Sequence, residues 1–165
     1  MTNWTQLRLT KGLATEVPWQ IASLASADIP TRDGATKALF ETLVRAGETS
    51  EAAAPALELL LPMVTTYAPD SHRVAWVVGE VFAAGHLERL AGKSPTASTS
   101  RDAVLSRADA ARIALLSALG SEDPAWRSGA AFALSFVPAV DPASLLSAAL
   151  VERDPLVRTS PCLAL

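Results

Sequence analysis

Residues 123–127 read Asp123-Pro124-Ala125-Trp126-Arg127, and 31 positions later residues 154–158 read Asp154-Pro155-Leu156-Val157-Arg158. Recurrence at a fixed period of roughly 20–50 residues marks stacked repeats, in which no unit buries its apolar face alone. Each residue type in the motif has a physical task. An aspartate ahead of a helix accepts hydrogen bonds from its first free amides. Proline fits the first helical position, where its missing N–H costs nothing. An arginine four residues after the aspartate can pair with it, or with the equivalent aspartate of a neighbouring repeat. Trp126, Ala130, Ala133, Leu134 and Val137 follow at helical spacing, so one face is apolar. Gly129, Ala130, Ala131 and Ala133 are small enough to admit a neighbouring helix closely. Asp141 and Pro142 open a partner helix over 141–152, with Leu145, Leu146, Ala149 and Leu150 as its stripe.

Asp-Pro-x-Val-Arg ahead of an Ala/Leu-rich helix resembles the HEAT-repeat family in its bacterial short-repeat form. The resemblance covers residues 104–165. It extends to Asp28-Ile29-Pro30-Thr31-Arg32, which keeps Asp and Arg four apart, and to Asp70-Ser71-His72-Arg73, which has them three apart and lacks the internal proline. The N-terminal half, through Trp4, Gly12, Val17-Pro18 and Ala52 to Leu61, is similar to actinobacterial HEAT-repeat proteins. What the resemblance implies is an all-α, right-handed α-solenoid of about four helical hairpins. Its second helices (30–46, 71–84, 124–136 and 155–165) are expected along one concave surface that binds another protein or peptide, as a scaffold or adaptor does.

Composition agrees with helices. Half the residues are hydrophobic and only 5% are aromatic, so the core must be built from Ala, Leu and Val. Ala and Leu favour helix, and no period-2 alternation is sustained. A net charge of −3 without a clustered basic stretch argues against a nucleic-acid partner. One cysteine, Cys162, leaves no internal disulfide framework or Cys-rich zinc site and reads as a small buried apolar residue. The start shows no secretory signal, and no apolar run reaches the roughly 20 residues of a membrane span. The expectation is a cytoplasmic protein of one domain, residues 1–165. It divides into an N-terminal cap with the first helices (1–27), divergent repeats (28–90), a loop (91–100) and regular repeats (101–165), the last incomplete.

Along the chain, Asn3–Lys11 reads as a short first helix anchored by Trp4, and 18–25 as the next, with Ile21, Leu24 and Ala25 inward. In 30–46, Ala35, Leu39, Leu43 and Ala46 form the buried side, joined by Phe40 and Val44. Asp33, Lys37, Glu41 and Arg45 make an i, i+4 row, a solvated face whose pairs contribute roughly 0.2–0.5 kcal/mol each. Pro55 is expected to start the next helix and Pro62 to kink it, with Leu57, Leu60, Leu61 and Val64 as core. Gly92-Lys93-Ser94 lacks the upstream glycine and strand of a phosphate-binding loop. The stretch 92–100 is small, polar and turn-rich, so it reads as loop. Residues 101–119 read as one amphipathic helix. The last unit leaves Leu156, Val157, Leu163 and Leu165 facing exposure, which favours self-association, or marks a fragment of a longer array.

The helix 71–84 is where function is sought. Val74, Val77, Val78 and Val81 share one face, while His72 and Trp76 lie opposite, with Glu80 near the same edge. A tryptophan opposite the apolar stripe is covered by the connection from Gly85 to Ser100, or buried by a neighbouring helix that covers both faces, or else is a binding residue. Trp76, Arg73, His72 and Glu80, with Arg127, are the candidate binding residues, because aromatic and arginine anchors dominate interfaces. The reading is non-catalytic. Neither histidine, His72 or His86, has the spacing of a metal site, and no cofactor is implied. Should the protein instead be an enzyme or a small-molecule binder, the pocket would surround Trp76, His72, Arg73 and Glu80, with His72 and Glu80 as acid–base groups. Some HEAT-like proteins are glycosylases for alkylated DNA bases. Trp76, Trp126 and several arginines echo that composition, but the acidic balance runs against it.

Overall fold

The computed structural model describes residues 2–9, 14–45, 47–66, 70–91, 95–143, 145, 150 and 152–159. Expectations for Gly12, Ala46, Leu146, Ala149, Cys162, Leu163, Leu165 and Gly92-Lys93-Ser94 fall outside them. The chain is all-α. After 3-10 turns at Trp4–Gln6 and Ala14–Glu16 come α1 (Val17–Ser23), α2 (Ile29–Leu43), α3 (Ala53–Thr65), α4 (Ser71–Ala91), α5 (Pro95–Leu105), α6 (Ala108–Ala118), α7 (Pro124–Leu134) and α8 (Pro155–Thr159). Between α2 and α3 a minimal antiparallel pair, β1 (Val44–Arg45) and β2 (Glu48–Thr49), turns the chain with Gly47 at φ +77°.

The helices form two layers. In one, α1 packs on α3 and α3 on α6; in the other, α2 packs on α4, α4 on α7 and α7 on α8. The layers meet through α1 with α2, α3 with α4 and α6 with α7. The core lies between them: Val17, Leu39, Leu43, Leu57, Leu60, Val64, Val77, Val78, Phe82, Leu115 and Leu134 are all fully buried. Helix α4 is central, touching α2, α3, α5, α7 and both strands. That is why Ala75, Phe82 and Ala84 are buried as well as its valine stripe.

Helix α4 and helix α7 run side by side in parallel, at a distance only glycine permits. A Cβ on Gly129 would stand 2.7 Å from the His72 carbonyl oxygen, and one on Gly79 would stand 2.9 Å from Ala133 Cα and from the Phe132 ring. The expected close approach at Gly129 is therefore present, matched by a second at Gly79.

Several boundaries differ from expectation. Residues 95–105 are helix rather than loop: Pro95 sits at the first helical position, suited to its fixed φ, and the helix packs on α4, α3 and β2. The single helix expected over 101–119 breaks at Ser106-Arg107, where the Ser106 hydroxyl donates to the Ala103 carbonyl and Arg107 pairs with Glu58. The break lets α5 cover the Gly85 end of α4, against Val104 and Leu105, while α6 packs on α3 and α7. Helix α4 runs on to Ala91, and α2 stops at Leu43, where β1 begins. Helix α3 begins at Ala53, two residues before Pro55, and carries Pro62 inside it. Trp4 anchors a single 3-10 turn rather than a helix. Ala25 is exposed, and Val157 is buried rather than exposed.

Candidate functional site

The Asp-x-x-x-Arg motif builds one local geometry three times. In each copy a side chain two residues before the aspartate accepts the aspartate N–H: Ser26 Oγ at 3.2 Å, Ser121 Oγ at 3.1 Å and Glu152 Oε1 at 2.9 Å. The aspartate caps the helix, accepting from Thr31 N, Ala125 N and Val157 N respectively. The arginine then donates to the carbonyl six residues back, at Ser26, Ser121 and Glu152. The position two before the aspartate was not singled out in the sequence, because Ser and Glu share no class there; both, however, are side-chain acceptors.

The arginine reaches beyond its own unit. Arg32, only 5% exposed, donates through Nε to Asp70 Oδ2 at 2.7 Å, across the α2–α4 contact. Arg127 forks onto Glu152, with Nε to Oε2 at 2.8 Å and Nη2 to Oε1 at 3.0 Å. The Arg127 hydrogen bond, the Asp154 amide and the Arg127 charge hold the Glu152 carboxyl down at about 2. Partial burial alone would raise the Asp70 carboxyl, but the hydrogen bond and charge of Arg32, with Arg73 and His72, outweigh it and keep it below its usual value. Asp70 takes φ +60°, a left-handed conformation that aspartate tolerates better than most residues. Arg73 crosses back to Asp33 and approaches Asp70 at 3.4 Å. Asp33, Lys37 and Glu41 are exposed as expected, but Asp33 serves this contact between helices.

On α4, His72, Trp76 and Glu80 follow at i, i+4 and i+8, one slowly drifting stripe. The Trp76 and His72 rings meet edge to face, with centroids 5.3 Å apart and planes at 82°. Trp76 remains 42% exposed. Burial lowers the His72 pKa, with the Asp70 charge opposing, so the imidazole is neutral at pH 7. His72 and Glu80 stand two helical turns apart. The structure thus gathers Trp76, His72 and Arg73 and leaves Glu80 one turn further on. It commits Arg127 elsewhere, to Glu152 and to the carbonyls of Ser121 and Glu122.

Chemically the stripe offers an aromatic face, a neutral imidazole edge and a paired guanidinium. Among the described residues no group of three His, Cys, Asp or Glu side chains could hold a metal, and no helix is long and apolar enough to cross a membrane. A shallow cleft of about 150 Å³ lies away from this stripe, lined by Val64, Thr65, Ser117, Ala118, Gly120, Ser121 and Trp126. Comparison with protein-family models, with curated proteins and with solved structures finds no match.

Proposed function

We propose that the chain is a HEAT-like, right-handed α-solenoid of about four hairpins that binds another protein or peptide along the face formed by α2, α4, α7 and α8. The stacking order supports the architecture: first helices touch first helices, second helices touch second helices, and the arginines of the repeated motif tie successive units. The observation that carries the binding role is Trp76, large, 42% exposed and braced edge-on by His72, on the central helix of that face. A rigid aromatic of this kind loses little side-chain freedom on binding and is typical of energetic anchors. Arg73, three residues before it on the same helix, is held by Asp33 and Asp70.

The test is affinity capture with the whole chain as bait, in the cells that express it. One partner retained at a stoichiometric ratio is expected for the parent and for Ile113→Ala, and its loss for Trp76→Ala at unchanged circular dichroism and Tm. Equal retention by Trp76→Ala would overturn the reading.

A further inference from the structure

The half-buried acids of the described residues are Glu48, Asp70, Glu80, Asp123, Glu152 and Asp154. Asp70 and Glu152 hold arginines, Asp123 and Asp154 cap helices, and Glu48 is engaged as well. Glu80 differs from them all: among the described residues it makes no hydrogen bond and no ion pair. A carboxylate drawn partly out of water without a counter-ion is costly. One helical turn before it stands Trp76, 42% exposed, with its Cβ roughly 6 Å away at this spacing. The indole meets the His72 ring, and no lysine or arginine among the described residues lies over it. An unfilled aromatic face and an unmatched carboxylate therefore adjoin on the central helix. We infer, on the reading of this face as a protein- or peptide-binding surface, that Trp76 and Glu80 form a cation-binding pair. The partner segment docks there through a basic side chain, arginine or lysine, laid on the indole with its charge against the Glu80 carboxylate.

Charge selects this occupant. A guanidinium or ammonium within about 6 Å of an indole centroid is attracted to the ring face. A long basic side chain can lay its stem on the ring and still bring its head to a carboxylate one turn away. An apolar side chain would cover Trp76 but strip more water from Glu80 and return no partner. An acidic side chain, or the phosphate of a nucleic acid, would meet Glu80 with like charge. The cations of the fold itself are occupied: Arg32 by Asp70, Arg73 by Asp33 and Arg127 by Glu152. Lys37 stands in the exposed row of α2 between Asp33 and Glu41, so its charge is balanced there.

Selection of random linear peptides on the whole chain, with Trp76→Ala as the counter-selection, tests the pair. Peptides held by the parent and lost by Trp76→Ala are expected to share an arginine or lysine at one position. Glu80 holds no partner, so Glu80→Gln should keep the parent's Tm. It is expected to weaken the selected peptides by about ten-fold, and to leave unaffected a peptide whose basic residue is replaced by alanine. Glu16→Gln, which removes an exposed acid from the 3-10 turn ahead of α1, should leave binding unchanged. Peptides that need Trp76 yet carry an apolar residue at the shared position, and ignore Glu80→Gln, overturn the cation site alone and leave the binding face standing. Equal weakening by Glu16→Gln reduces the effect to net charge and likewise overturns the cation site. A selection in which no peptide depends on Trp76 overturns the site and the binding face together.

Discussion

Helix α4 meets its two neighbours in opposite ways. Against α2 it uses long charged side chains: Arg32 reaches Asp70, and Arg73 reaches back to Asp33. Against α7, Gly79 and Gly129 let backbone approach backbone closely, with the Phe132 ring beside Gly79. The charged seam keeps its helices apart and depends on protonation. The glycine seam depends chiefly on space. Packing between neighbouring helices thus rests on two kinds of physics within one helix.

The largest effect is expected at the glycine seam. A valine at Gly129 must move the His72 backbone, because its Cβ alone would stand 2.7 Å from a carbonyl oxygen. Overpacking of this kind costs about 1–3 kcal/mol or more, and for a domain of this size about 3 kcal/mol is roughly 10 °C in Tm. Gly129→Val is therefore expected to lower Tm by about 10 °C, and Gly79→Ala by less, since the Phe132 ring can turn. A Tm unchanged in Gly129→Val would mean that α4 and α7 are not in backbone contact.

The charged seam should show an intermediate effect that fades with acid. Asp70 and Glu152 are both held below their usual carboxylate values by arginines. A carboxyl lowered by folding stabilises the native state above its unfolded pKa and loses that contribution as pH falls through the folded value. For Glu152 the window runs from 4.5 down to about 2. Arg32→Ala leaves a partly buried Asp70 without its main partner and is expected to cost about 2 kcal/mol at pH 7. The cost should shrink toward pH 2 in thermal melts taken across the acid range. His72, lowered by burial, adds a loss of the same sign as pH falls below 6.5. A pH-independent cost of Arg32→Ala would remove the ion pair from the account.

The smallest effect has the opposite sign. A Cβ on Gly34, inside α2, would meet nothing within 4 Å. Gly34→Ala should therefore stabilise by about 0.5–1 kcal/mol, through helix propensity and a less flexible unfolded chain. A melt that rises by about 2 °C would confirm that Gly34 differs from Gly79 and Gly129 in surroundings alone.

Much of the fold was legible because its signals are local. Asp28, Asp123 and Asp154 announced helix starts by capping chemistry, and the spacing of Leu57, Leu60, Leu61 and Val64 announced a buried stripe. What escaped depends on contacts distant in sequence. Helix α5 begins in a Ser/Thr-rich stretch whose composition says loop, and it is stabilised by packing on α4 and β2. The break at Ser106-Arg107 carries no glycine or proline and is set by Arg107 finding Glu58 on α3. Of the candidate site, Trp76 and His72 were found as a pair at i, i+4. Arg127 was marked as a binding residue because its partner, Glu152, lies outside the spacing at which a charge pair can be guessed.

Two glycine contacts a helical turn or two apart also set how the stack can bend. Sliding α7 along α4 by a single residue would drive a Cβ into backbone at Gly79 or Gly129, so that joint resists shear. Flexible guanidinium arms across α2 and α4 can lengthen, tilt and re-form. The α4–α7 contact therefore resists sliding more than the α2–α4 contact does.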